Sequence, residues 1–163
     1  MAGKVDDLVS LIVERLTEKL GLLQRMTGIT KSLLGIPYES NQERWTAVTA
    51  EREDLIKTIQ ELDADMAALE GEISDRLVRP PYQIEELKPH VEPDLYTDLE
   101  RIRAGVRAVL AELEQMDKEC QEVLAMENEA VKLQLHRLQG GQRLRRAYGR
   151  TKLPGSLVLN QIK

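Results

Sequence analysis

The sequence predicts an all-α protein: an elongated antiparallel helical hairpin or bundle of three long helices with a C-terminal amphipathic tail. Three observations carry this reading. The 163-residue chain is rich in Leu, Glu, Arg, Ala and Gln, with only 3% aromatic residues, no Phe and one Trp, the composition of long helices. Apolar residues recur every three or four positions over long stretches. Gly and Pro gather at a few places that cut the chain into segments.

The first helix is expected over Lys4 to Leu34, because Val5, Leu8, Ile12, Leu16, Leu20, Leu23, Met26, Ile29 and Leu33 build one apolar stripe. Gly35-Ile36-Pro37 then stops it: Gly accepts the left-handed conformation of a helix end and Pro cannot continue the ladder. Ser40-Asn41-Gln42-Glu43 reads as a capping box opening a second helix over 41–78. Here Trp45, Arg52, Ile59, Met66 and Ile73 fall seven apart, with Val48, Leu55, Leu62 and Leu69 interleaved, so an a/d seam persists.

Arg79 precedes Pro80-Pro81 and is pushed out of the α region, which ends this helix. Residues 79–92 form a Pro-rich connector with at most one or two helical turns around Ile84 to Leu87. The third helix starts at Pro93, a good first-turn residue, and runs over 93–139. Its seam is Leu95, Leu99, Ile102, Val106, Val109, Leu113, Met116, Cys120 and Val123, and then shifts to Leu124, Val131, Leu135 and Leu138. At ~1.5 Å per residue the second and third helices would be about 55 and 70 Å long. The third helix therefore overhangs its partners.

Gly140-Gly141 ends that helix, and residues 140–163 differ from everything before them. Arg143, Arg145, Arg146, Arg150, Lys152 and Lys163 stand there without an Asp or Glu, and the apolar run Leu157-Val158-Leu159 with Ile162 follows Pro154-Gly155. A short segment of this kind cannot bury enough surface to order itself, so it reads as a docking segment, a clasp, or a strip packed back on the bundle.

The chemistry-bearing residues do not converge. His90 and His136 lack any zinc or di-iron spacing and read as solvated surface. Cys120, on the seam, reads as a small buried hydrophobe, and Trp45 as core. The acidic clusters Glu51 to Asp54 and Glu112 to Asp117 read as solvated faces. Pro80-Pro81-Tyr82 reads as a rigid turn. No cofactor and no metal are expected, and the protein is not expected to be an enzyme. A net charge of −5 argues against nucleic acid as a partner. No apolar run reaches the roughly 20 residues of a membrane span, and MAGKVDDLVS lacks a signal-peptide core, so a cytoplasmic location is expected.

Two runs carry a family resemblance. ERWTAVTAEREDLIKTIQELD, residues 43–63, resembles the hairpin helix of the flagellar type III export chaperones, the FlgN and FliT class. ELEQMDKECQEVL, residues 112–124, with LQGGQRLRRAYG, residues 138–149, resembles their second half, a long helix ending at a glycine-containing stretch followed by Ala-Tyr. The resemblance implies a small cytoplasmic helical protein without enzymatic activity. Its cargo would be the C-terminal helices of a late flagellar subunit, either a hook–filament junction protein or the filament cap, held unpolymerised and delivered to the export gate. In that frame the tail engages cargo, with Leu135, Leu138, Leu144, Leu157, Leu159 and Ile162 as anchors in a helix-in-groove mode. Tyr148, with Arg145 and Arg146, would dock at the cytoplasmic domain of the export gate. The alternative reading is a structural coiled-coil adaptor that homodimerises through its heptad seam.

Overall fold

The computed structural model describes residues 2–77 and 83–137, with side chains for 4–77 and 83–133. Its elements are α1 (Ala2–Lys31), α2 (Gln42–Leu77), a 3₁₀ segment (Ile84–His90) and α3 (Pro93–Arg137). The fold is all-α, a bundle of three long helices, and the described residues contain no strand.

Helix directions follow from the ion pairs and capping bonds. Arg25 meets Glu51, Lys19 meets Asp63 and Arg15 meets Asp65, so α1 and α2 are antiparallel. The Glu92 backbone N–H donates to Asp6 near the start of α1, and Lys31 at the end of α1 pairs with Glu112, so α1 and α3 are parallel. The sequence suggests α2 and α3 as the hairpin with α1 laid against it. In the structure the close backbone approaches are instead those of α1 with α2 and of α1 with α3. On the α1–α3 side Gly105 faces Leu20, where an added Cβ would lie 3.4 Å from Leu20 Cδ2, whereas α2 and α3 meet across the long side chain of Arg52, which reaches Asp117.

The element ends differ from expectation by a few residues. α1 stops at Lys31, and its last turn tightens into i→i+3 bonds, Leu33 N–H to the Thr30 carbonyl and Leu34 N–H to that of Lys31. Gly35 then takes φ +78°, a conformation a Cβ would strain. α2 opens at Gln42, where Asn41 accepts the first helical bond from Trp45 N–H and its side-chain amide donates to the Pro37 carbonyl at 2.9 Å. Asn41, one residue beyond Ser40, therefore flanks the helix. The connector is more regular than the sequence suggests: the 3₁₀ turns continue to His90 and drop Leu87 and Val91 into the core.

The core forms two clusters. The larger runs from Val5 and Val9 through Leu23 and Met26 of α1, Leu55, Ile59, Met66 and Ile73 of α2, and Leu99, Val106 and Leu113 of α3. The smaller holds Leu33, Trp45, Val48, Cys120 and Leu124. Tyr96, rather than its neighbour Leu95, is the buried residue in the first turn of α3.

Candidate functional site: the end of α3

Between the two clusters lies a polar node that the seam pattern does not advertise. Arg52 is 1% exposed and Asp117 is 4% exposed. The guanidinium grips the carboxylate with two bonds, Nη1 to Oδ1 at 2.7 Å and Nη2 to Oδ2 at 3.0 Å, and Nη1 also donates to Thr30 Oγ1 at 2.7 Å. Thr30 in turn donates to the Met26 carbonyl at 2.7 Å. All three helices thus meet at one ion pair. Its Nε–H meets no acceptor, a desolvation cost of about 1–3 kcal/mol. Burial pushes the Asp117 carboxyl up from the usual carboxylate range, and the Arg52 bonds oppose that rise. The expectation that Glu112 to Asp117 forms a solvated face therefore fails at Asp117. The signal was Arg52 itself, a charge on an apolar seam, which requires a buried partner.

Cys120 is buried beside this node, as its seam position suggests, and burial pushes its thiol up to about 11, with the Asp117 charge adding to the rise. Trp45 is core: its Nε1 donates to the Ile36 carbonyl at 3.3 Å and its ring meets Tyr38 edge-on at 5.9 Å. His90 is exposed. Among the described residues no cluster of three or more His, Cys, Asp or Glu is placed to hold a metal ion. No helix among them is long and apolar enough to cross a membrane.

A hollow of about 700 Å³ lies between α2 and α3 over α1, beside the 3₁₀ segment. Ile12, Leu16, Met66, Leu87 and Leu99 line it, and each is already buried by the bundle. Its rim carries the Lys19–Asp63 pair at 2.6 Å, with Glu70 and Arg103. Binding there would remove little further apolar area from water, so size alone does not make this hollow a docking groove.

The end of α3 is different. Glu127 accepts the backbone N–H groups of Tyr38 at 2.7 Å and Glu39 at 3.2 Å, and so fastens α3 to the α1–α2 turn. Among the described residues, Glu127 is the most C-terminal position of α3 with a hydrogen bond to another element. Residues 128–137 continue as helix for about 15 Å beyond it. The register that buries Leu113, Cys120 and Leu124 continues through Val131 to Leu135 in this projection. Leu135 lies in α3 with its side chain outside the described residues. Leu138, Leu144, Arg145, Arg146, Tyr148, Leu157, Leu159 and Ile162, the remaining expected cargo and gate residues, all lie outside the described residues.

No protein-family model matches the chain, and neither a curated protein nor a solved structure matches it.

Proposed function

We propose that this chain is an export chaperone of the flagellar type III class. It holds the amphipathic C-terminal helices of a junction or cap subunit and hands them to the export gate. The observation that supports it is that helix α3 continues for ten residues past Glu127, which clamps the α1–α2 turn, and carries the register of Leu124 on to the half-buried Val131 and to position 135. An amphipathic helix end of this kind is an element that a partner helix can complete. The resemblance of residues 43–63, 112–124 and 138–149 supplies the identity of that partner.

The seam of α2 favours this reading over the coiled-coil adaptor. Trp45, Arg52, Ile59, Met66 and Ile73 are all buried within the chain, so that seam is occupied without a second copy. Leu135, Leu138, Leu144, Leu157, Leu159 and Ile162 serve as cargo anchors, and Tyr148 with Arg145 and Arg146 as the gate contact. The test is capture from a lysate of flagellated cells by the full chain, by a 1–139 truncation and by Leu135→Asp. Recovery of a junction or cap protein by the full chain, lost in both variants, is the expected result. Recovery of no flagellar subunit by the full chain overturns the reading. Tyr148→Ala should lose gate binding and keep cargo; unchanged gate affinity would remove that residue from the docking contact.

A further inference from the structure

Among the described residues six polar or charged side chains are buried, and five of them gather at one level of the bundle. Thr30, Arg52 and Asp117 are joined there by hydrogen bonds, and Thr27 and Thr49 stand within one helical turn of them. The layer spans all three helices. On one side of it lie the eighteen buried residues of the larger apolar cluster and on the other the five of the smaller. Of the apolar residues in these clusters and at their margins, the half-buried Ile29 alone packs against both. The apolar core is nearly interrupted where the layer crosses it.

The layer is also a poor link between the two sides. Apolar clusters cooperate by sharing buried surface, whereas a buried ion pair adds little net stability because desolvation offsets its attraction. Here the Arg52 Nε–H also stays without an acceptor. The threonine hydroxyls donate to carbonyls one turn back, Thr27 to Leu23, Thr30 to Met26 and Thr49 to Trp45, a bond that slightly destabilises and bends a helix. Beyond the layer α1 tightens into i→i+3 bonds and reaches Gly35 at φ +78°. What holds that end shut is small: five buried side chains, and the two bonds that Glu127 accepts from the Tyr38 and Glu39 amides.

We propose that the Arg52 layer divides the bundle into two cooperative units, and that the turn end, residues 31–51 with 118–131, opens by itself while the larger cluster stays folded. Opening uncovers Leu33, Trp45, Val48, Cys120 and Leu124. The last two share the register that runs on to Val131, so opening lengthens the apolar stripe that α3 presents. The motion belongs to the free chain and stands whether or not the partner of that stripe is a flagellar subunit.

The test uses Cys120, the single cysteine, as reporter of the turn end, and Val106→Cys in a Cys120→Ala background as reporter of the larger cluster. Each buried thiol is alkylated when its own unit opens. Labelling of the full chain across sub-denaturing urea concentrations therefore gives the free energy of each opening and, from the slope, the surface it exposes. Cys120 should label at least about tenfold faster than the Val106→Cys thiol, with the shallower urea slope. Ile59→Val, inside the larger cluster, should speed the Val106→Cys thiol about fivefold and leave Cys120 unchanged, because that cluster stays formed when the turn end opens. Arg52→Met with Asp117→Leu replaces the polar layer by apolar side chains and should bring the two thiols to one rate and one slope. Amide exchange of the unaltered chain checks the same division without substitutions: residues 43–51 and 119–127 should exchange faster than 55–73 and 96–113. Equal rates and equal slopes at the two thiols, with Ile59→Val speeding both alike, overturn the proposal, since the bundle then unfolds as one unit. A Cys120 that keeps its lead and its shallow slope in the Arg52→Met, Asp117→Leu protein removes the layer as the boundary and equally overturns it.

Discussion

Arg52 occupies a heptad position seven residues from both Trp45 and Ile59, where α2 otherwise supplies apolar side chains. Its bidentate pair with Asp117 is buried, and the carboxyl is held above its usual range by desolvation. An acid whose folded value lies above the unfolded one weighs against the fold as pH rises through that interval. The pair is therefore a weak source of net stability at neutral pH, and its effect is to fix which turn of α2 faces which turn of α3. Removing one partner is another matter. Arg52→Met alone should cost about 3–5 kcal/mol in urea unfolding because Asp117 is left buried and unpaired, while Arg52→Met with Asp117→Leu should return to within about 1 kcal/mol of the parent. A double variant as unstable as the single would show the pair to be a net stabiliser. Cys120 gives a pH signature of the same sign at higher pH. With its folded value near 11 against an ordinary thiol near 9, the unfolded chain loses its proton first, so stability falls as pH rises between these values. Cys120→Ala should flatten that slope. At pH 8 native Cys120 should hold a thiolate fraction about a hundredfold below that of a free thiol, and alkylation before and after unfolding measures it.

The α1–α2 turn shows what an element owes to a distant residue. Its backbone amides at Tyr38 and Glu39 find their acceptor in Glu127, almost ninety positions along the chain. Glu127→Gln keeps the shape and one acceptor oxygen and should cost about 1 kcal/mol, whereas Glu127→Ala should cost about 1–3 kcal/mol. Trp45 is the only tryptophan and packs on Tyr38, so its fluorescence reports the turn directly. A Glu127→Ala protein whose Trp45 emission and midpoint match the parent would remove the clamp from the explanation. The three long helices were legible in the sequence because the α2 seam and the Gly and Pro breaks are local signals. Glu127, Asp117 and the α1-centred packing were not, since an acid that serves a backbone turn or a buried arginine has the same spacing as one that serves solvent. Arg52 alone among these carried a visible anomaly. For the candidate site, helix length against break position suggests an overhang, and its expected contact residues fall largely outside the described residues.

At the scale of the molecule, the buried apolar residues among those described run from Val5 to Leu124, and α3 continues to Arg137. Both clusters, the Arg52 node and the Glu127 clamp lie within the first 127 residues. If the basic and apolar end of the chain is kept available to a client helix, it contributes little to the free protein's stability. The 1–139 truncation should then unfold at the same urea midpoint as the full chain, within about 0.5 kcal/mol. It should also show the same denaturant slope, because that slope scales with the surface exposed on unfolding. The comparison must be made at one low protein concentration, since self-association of the full chain would raise its apparent stability by mass action. A tail packed back as a clasp has a distinct signature. It buries added apolar area, so the full chain would show the steeper slope and the truncation would lose stability at about 25 cal/mol for each Å² uncovered. Equal slopes and equal midpoints leave residues 140–163 to a partner, and a steeper full-chain slope assigns them to the bundle itself.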